Sequence, residues 1–185
     1  MPKVSQDHLD ARREQILAGA RRVFARHGYR GATVARLEKE IGLSRGAIFN
    51  YFDSKWALFE ALAAGDTRRY RELAVEHGLD ELIRQVDREH PDWLGVHLEA
   101  MHVIRTDPEI RERALTESED LAGILRSIED SQREGVLRAD VPVRDLARFL
   151  SIVLDGLALR VSLGLPVEIE SLLSLVHGGI DGPGS

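Results

Sequence analysis

The sequence predicts an all-α protein of about nine helices, and three observations support this prediction. Apolar residues recur at spacings of three and four along nearly the whole chain, which is the period of an amphipathic helix. No stretch alternates between apolar and polar residues in the way that a half-buried strand does. Glycine or proline stands at or near the expected ends of the periodic segments, at Gly78, Pro91, Pro108, Gly135, Pro142 and Pro166.

The first predicted helix covers residues 9–26 and places five apolar side chains on one face: Ile16, Leu17, Ala20, Val23 and Phe24. His27-Gly28 ends it, because glycine is favoured just past a helix C-terminus. Thr33 is expected to cap a second helix, which points Val34, Leu37 and Ile41 inward.

Gly42 then turns the chain, and Ser44 is expected to cap a short third helix that runs to Tyr51 or Phe52. Gly46 lies in the first turn of this helix, where glycine weakens a helix by about 1 kcal/mol relative to alanine. Helix stability therefore does not explain the glycine at position 46, which points to a functional role for it.

Asp53-Ser54 offers the next N-cap, and the fourth helix runs from there to His77-Gly78. The remaining periodic segments predict helices over residues 79–89, 92–106, 108–134, 143–163 and 167–178. The tail GGIDGPGS, from residue 178 on, is expected to be disordered.

Charge divides the chain into two unlike parts. Residues 1–55 contain 11 Lys and Arg against 6 Asp and Glu, whereas the rest contains 14 against 25. A basic first segment on an acidic body is typical of a polyanion-binding head joined to a body with another task.

Residues 33–51 combine two capped helices and a glycine turn, which is the pattern of a helix-turn-helix. In this motif the second helix enters the major groove of DNA with its N-terminal residues facing the bases. The expected DNA-facing residues of the second helix are Ser44, Arg45, Gly46, Ala47 and Asn50. Gly46 would let the backbone approach DNA closely, and Thr33, Tyr51 and Lys55 are suited to phosphate contacts.

The stretch GATVARLEKEIGLSRGAIFNYFDSKWALFEALA resembles the DNA-binding signature of the tetracycline-repressor (TetR) family. This resemblance implies a homodimer with a three-helix DNA-binding domain, here residues 1–53. It also implies a helical ligand-binding and dimerisation domain, here residues 54–178, which leaves residues 179–185 as a tail.

Four segments, the first of them within this stretch, are similar to the actinobacterial aconitase repressors, a branch of this family: SRGAIF, RTDP at 105–108, RADVP at 138–142 and VLDG at 153–156. This likeness implies repression of an aconitase gene and a citrate-like effector, with a divalent cation such as Mg²⁺ as its companion and no obligatory cofactor. The chain departs from that branch at Asn50-Tyr51 and around residues 110–130.

The predicted helices at 143–163 and 167–178 carry more apolar surface than one packing partner requires. They are expected to form a four-helix bundle across a two-fold axis with a second copy. The alternative is that the helix at 143–163 lies inside the core of a single chain.

A polar effector requires charged or imidazole groups that face the interior of the body. The candidates are His97 with Met101 on one helix, Arg126 on the next, and Arg160 on the predicted dimer helix. Arginine can bind a carboxylate with two parallel hydrogen bonds. Each of these residues alone is more often a surface group whose stem covers apolar area.

The sequence argues against an enzyme and against a metal site of thiolates. It contains no cysteine, no glycine-rich phosphate loop and no GxSxG motif, and Glu99 fits a solvated acidic face. The absence of cysteine suits a reducing cytoplasm, and no apolar run is long enough for a membrane span. Two alternatives remain: a regulator of the same fold that binds an apolar drug or lipid, and a helical module that binds protein rather than DNA.

Overall fold

The computed structural model describes residues 6–115 and 119–182 of the chain. The helices are α1 (Gln6–Gly31), α2 (Val34–Ile41), α3 (Arg45–Phe49), α4 (Lys55–Asp87), α5 (Pro91–Thr106), α6 (Pro108–Leu115), α7 (Glu119–Arg133), α8 (Val143–Ser162) and α9 (Ile169–Ile180). Within these ranges the only β-type pairing is an isolated bridge between Leu137 and Asp181. The all-α prediction is therefore confirmed.

Several helix boundaries differ from the prediction. Helix α1, expected to end at His27-Gly28, continues to Gly31, and only Gly28 leaves helical geometry within it. The segment predicted as a separate helix at 79–89 continues from α4, and only Gly78 leaves helical geometry between the two parts. The third helix ends at Phe49, because Asn50 already caps it and its N–H bonds back to the carbonyl of Gly46. The predicted helix at 108–134 corresponds to α6 and α7, with residues 116–118 outside the described ranges.

The expected disorder from residue 178 onward is wrong for residues 178–182. Helix α9 continues to Ile180, whose side chain is buried. Beyond it, the Gly182 N–H donates to the Val136 carbonyl and the Arg138 N–H donates to the Ile180 carbonyl, at 3.1 and 2.8 Å. These bonds tie the chain end to the loop before α8. Residues 183–185 lie outside the described ranges.

Two apolar cores organise the fold. The first joins α1, α2, α3 and the start of α4, and it includes Trp93, Val96 and Ala100 of α5. The second joins the end of α4 with α7, α8 and α9. Helix α5 contacts both α1 and α8. The N-terminal head therefore shares its core with a helix of the body.

Helix α9 is anchored to the second part of α4 near both of its ends. Arg84 donates to the Glu170 carboxylate at 3.0 Å near the start of α9. Near its end, the two ring nitrogens of His177 lie 3.0 Å from Asp181 and 2.6 Å from Asp80. These bonds, to Asp181 and then Asp80, raise the pKa of His177. A protonated His177 therefore fits this site, since each nitrogen then has a hydrogen to donate.

Candidate nucleic-acid interface

The helix-turn-helix is defined by three local hydrogen bonds that the sequence predicts. The Thr33 side chain accepts from the Arg36 N–H at the start of α2, and the Ser44 side chain accepts from the Ala47 N–H at the start of α3. Between them, Gly42 ends α2 with a φ of 75° and donates to the Glu38 carbonyl at 2.9 Å. Glycine adopts this left-handed geometry without steric cost.

The start of α3 faces outward. Ser44, Arg45, Gly46 and Asn50 are exposed, and Ala47 is half-buried. A β-carbon added at Gly46 would meet no atom within 4 Å. Packing within the chain therefore does not require a glycine there. The open space in front of it is consistent with close approach by an external molecule.

Helix α3 is held from behind by apolar side chains. Ile48 is fully buried and Phe52 is nearly so, while the guanidinium of Arg13 lies 4.5 Å from the centre of the Phe52 ring. The Glu38 side chain of α2 accepts from the Arg45 N–H at 2.6 Å, which fixes the first residue of α3. The helix is short, but these contacts fix its position relative to α2.

The three residues assigned to phosphate contacts have different surroundings. Thr33 is exposed, and Tyr51 lines an open cleft of about 320 Å³ together with Arg13 and Glu60. Lys55 donates from Nζ to the Tyr29 carbonyl at 2.8 Å, and burial lowers the pKa of its ammonium group. One of the three Lys55 donors thus has a partner within the chain, and the phosphate contacts of all three residues stay predictions.

The structure does not gather the four effector candidates into one pocket. His97 packs edge-on against Phe59 and Trp93. Burial lowers the pKa of His97, although the nearby negative charge of Asp66 acts to raise it. Met101 and Arg126 are exposed.

Arg160 is also exposed and donates to the Pro166 carbonyl at 3.1 Å. The expectation that Met101, Arg126 and Arg160 face the interior is therefore not met in the single chain, because all three side chains are exposed to solvent. Their binding of an effector stays a prediction.

Sequence reasoning missed a buried carboxylate behind the head. Asp66 of α4 is 6% exposed and is the only charged side chain in the described ranges that is buried to this degree. Arg21 of α1 donates to both of its oxygens, at 2.8 and 3.0 Å. The indole N–H of Trp93, on α5, donates to the same carboxylate at 2.8 Å. One side chain thus joins three helices.

A second carboxylate, Glu89, extends this network. Arg69 and the Tyr70 hydroxyl donate to Glu89 at 2.9 and 3.0 Å, and Arg21 approaches it to 3.8 Å. Burial, together with the adjacent Glu89 charge, raises the pKa of Tyr70 to about 12. Tyr70 therefore remains a neutral donor near neutral pH. The network connects the head to the junction of α4 and α5.

An apolar face lies on the outer side of α8 and α9. Phe149, Ile152 and Leu159 follow one another along α8 with exposures of 39%, 64% and 42%, and Leu163, which caps the end of α8, is 61% exposed. Leu175 on α9 is 75% exposed. A β-carbon at Gly156, between them, would meet no atom within 4 Å. Several large apolar side chains exposed on two consecutive helices are typical of an interface with another protein.

The described ranges contain neither a cluster of metal ligands nor a membrane-spanning helix. No group of three or more His, Asp or Glu in residues 6–115 and 119–182 could hold a metal ion. No helix in the same part of the chain is long and apolar enough to cross a membrane.

Comparison with known families finds two matches that together span most of the chain. Residues 16–62 match the family described as bacterial regulatory proteins, tetR family. Residues 71–182 match the C-terminal domain of BetI-type transcriptional repressors.

Individual relatives align over nearly the full length. The chain is 42% identical to the HTH-type transcriptional repressor AcnR of Corynebacterium diphtheriae over 184 residues, which covers 97% of each protein. It is 43% identical to the repressor AcnR of Corynebacterium glutamicum over 172 residues, covering 91% of this chain and 92% of that one.

Solved structures share the fold at lower identity. Salmonella enterica GusR superposes with a TM-score of 0.72 at 23% identity, covering 96% of this chain and 98% of that one. A TetR transcription regulator from Haloarcula marismortui gives a TM-score of 0.69 at 23% identity, covering 91% and 96%.

Proposed function

Since this chain belongs to the tetR family of bacterial regulatory proteins and is a transcriptional repressor of the AcnR type, we propose that it represses an aconitase gene. In this proposal it binds a palindromic operator as a homodimer and is released by a small carboxylate. The observation that carries the DNA-binding part is the exposed, rigidly backed start of α3. Family membership speaks against an enzyme and against a helical module that binds only protein.

Each outward-facing residue at the start of α3 has a role that follows from its chemistry. The Arg45 guanidinium donates two parallel hydrogen bonds to O6 and N7 of a guanine. Gly46 provides clearance, while Ala47 and Asn50 face neighbouring bases. Thr33, Tyr51 and Lys55 hold phosphates and set the orientation of the head without reading sequence.

We expect Arg45→Ala to reduce the preference of the protein for its operator over a random duplex by about tenfold, because a bidentate arginine–guanine pair discriminates by about 1–3 kcal/mol. The operator is first selected from a pool of random duplexes with the wild-type protein, and affinities are then measured by fluorescence anisotropy.

Arg68→Ala is the matched control, since it removes the same charge from an exposed position on α4. It should leave the preference for the operator unchanged. An Arg45→Ala variant that discriminates as well as the wild type would exclude the base-reading role.

The proposed dimer forms through α8 and α9, whose exposed apolar face would otherwise contact water. A two-fold axis places the same face of both copies in contact and makes a four-helix bundle. The two α3 helices then enter successive major grooves, about 34–36 Å apart. The two-fold symmetry of the dimer makes the operator a palindrome, and this spacing sets the separation of its half-sites.

The proposed effector is citrate or a similar carboxylate, with Mg²⁺ as its companion ion. The likeness to the aconitase repressors supports this choice, and a cytoplasmic location suits such a sensor. Effector binding in the body would favour a packing of the helices in which the two heads no longer match the operator spacing.

We expect citrate with Mg²⁺ to raise the melting temperature by about 5 °C at saturating concentration, because a ligand that binds only the folded state stabilises it. A thermal-shift screen compares citrate, citrate with Mg²⁺, and apolar ligands such as fatty acids. Stabilisation by apolar ligands alone would support the rival regulator of the same fold that senses a drug or lipid.

A further inference from the structure

The corner between α1 and α2 is held by two side chains from outside the first three helices. Glu99 of α5 accepts from the Arg30 N–H through Oε2 at 3.1 Å. Lys55 of α4 donates to the carbonyl of the preceding residue, Tyr29, at 2.8 Å. The backbone groups of two consecutive corner residues, Tyr29 and Arg30, are thus bonded to side chains of α4 and α5. Glu99 is half-buried, and its bond to Arg30 is a contact that the sequence-based interpretation of it as a solvated surface acid does not include.

Gly28 fits this arrangement in two ways. Its φ of 68° lies in the left-handed region that glycine tolerates. A β-carbon at Gly28 would also overlap Oε1 of Glu99. The carboxylate therefore occupies the space that any other residue at position 28 would fill. A side chain there would force the mobile end of Glu99 away from the Arg30 N–H.

The corner is connected to the DNA-facing helices by a short, well-bonded segment. The Ala32 N–H donates to the Gly28 carbonyl at 3.1 Å, and Ala32 itself is fully buried. The Thr33 N–H then donates to Gly31, and Thr33 caps α2. Only this segment separates the Glu99 contact from the first residue of the helix-turn-helix. A shift of the corner is therefore passed directly to α2.

Helix α5 is placed to transmit changes in the body. It packs against α1 on one side and against α8, which carries the exposed apolar face, on the other. The Arg30 N–H that donates to Glu99 lies four residues before Val34, where α2 begins. The Asp66 network, by contrast, holds α1 near its middle, at Arg21.

We infer that Glu99 is a positioning residue for DNA binding, which holds the α1–α2 corner, and with it α2 and α3, in the orientation that fits the operator. This inference rests on the proposed function, since it names the contact through which the body sets the head. Glu99 touches no DNA in this scheme. It acts through the Arg30 amide.

The test compares Glu99→Ala and Glu99→Gln with the wild type, with Glu129→Ala as a control at an exposed glutamate on α7. Affinity for the selected operator is measured at a temperature at which circular dichroism shows every variant fully folded. Glu99→Ala should lose at least about tenfold in affinity, as expected for one hydrogen bond to a charged acceptor. Glu99→Gln should stay within about twofold, since its amide oxygen still accepts.

Hydrogen exchange of the Arg30 amide gives a second readout that does not require DNA. The Arg30 N–H should exchange faster in Glu99→Ala than in the wild type, while Glu129→Ala leaves it unchanged. An unchanged Arg30 exchange rate, or a Glu99→Ala variant that binds the operator as tightly as the wild type, would overturn the inference. If the wild type binds no duplex specifically, the proposed function is refuted instead. The exchange rate of the Arg30 amide would still show whether Glu99 bonds to it.

A double-mutant cycle of Gly28→Ala and Glu99→Ala isolates the contact from backbone strain. Strain at position 28 is the same in both backgrounds and cancels in the cycle. If alanine at 28 acts partly by displacing Glu99, the double variant should lose less operator affinity than the sum of the two single losses. Additive losses would contradict the close packing of Glu99 on Gly28.

Discussion

Replacing Asp66 by alanine is expected to destabilise the folded chain by about 3 kcal/mol, at the low end of the range for removing one partner of a buried ion pair. The loss leaves the Arg21 guanidinium and the Trp93 indole N–H without the acceptor that they share. The low end applies because the Arg21 side chain is 29% exposed and retains some hydration. For a domain of this size the melting temperature should fall by about 6–12 °C.

The control for this prediction is Asp130→Ala, which removes an exposed aspartate on α7 that pairs only locally with Arg133. It should change the stability by less than about 0.5 kcal/mol. The melting temperatures of the wild type, Asp66→Ala and Asp130→Ala test this prediction. A melting temperature of Asp66→Ala within about 2 °C of the wild type would mean that Asp66 contributes little to holding the three helices together.

Placing aspartate at both Ile152 and Leu175 is expected to convert the dimer into a folded monomer. These two side chains are 64% and 75% exposed in the single chain, so the substitutions leave its core intact. In the proposed dimer, each copy would bury two carboxylates against apolar surface, at several kcal/mol for each unpaired charge. The dimer dissociation constant should rise by at least about 100-fold.

Val75→Asp is the matched control, because Val75 is also an exposed apolar residue, at 66%, but belongs to α4 rather than to α8 or α9. Sedimentation velocity should show a dimer for the wild type and for Val75→Asp, and a monomer for the double variant. Circular dichroism confirms that the double variant is folded. The operator affinity of the double variant should also fall, because a monomer has one head and contacts only one half-site. A double variant that remains dimeric would place the interface elsewhere.

The parts of the fold that depend on local sequence were predictable. Thr33, Ser44 and Ser54 each cap the helix that was expected to follow them, because an N-cap is a contact between residues two or three apart. Gly42 likewise ends α2 as predicted. The exposed edge of α3 follows from the same local signals.

Features that depend on contacts distant in sequence were not predictable in this way. Asp66 interrupts the apolar stripe of α4 between Leu62 and Tyr70, which signals a buried charge but not its partners. Its partner Arg21 is 45 residues away, and the pair forms only when α1 packs on α4. Glu99 and Arg30 are 69 residues apart, so the sequence shows only a polar residue on a helix.

The end of the chain illustrates the same limit. The glycines near residue 179 predict disorder by composition. In the fold, Phe149 of α8 lies beside Gly179, and Ile180 is buried. Tertiary packing outweighs the low helix propensity of glycine here.

The most direct test of the account is the affinity of the wild-type protein for its selected operator, compared with the same duplex in which one half-site is scrambled. We predict that the intact palindrome binds at least about 100-fold more tightly and that its affinity falls steeply as salt increases, because two basic heads each neutralise several phosphates. Equal affinity for the two duplexes, or binding that does not depend on salt, would contradict a dimer that reads two half-sites through α3.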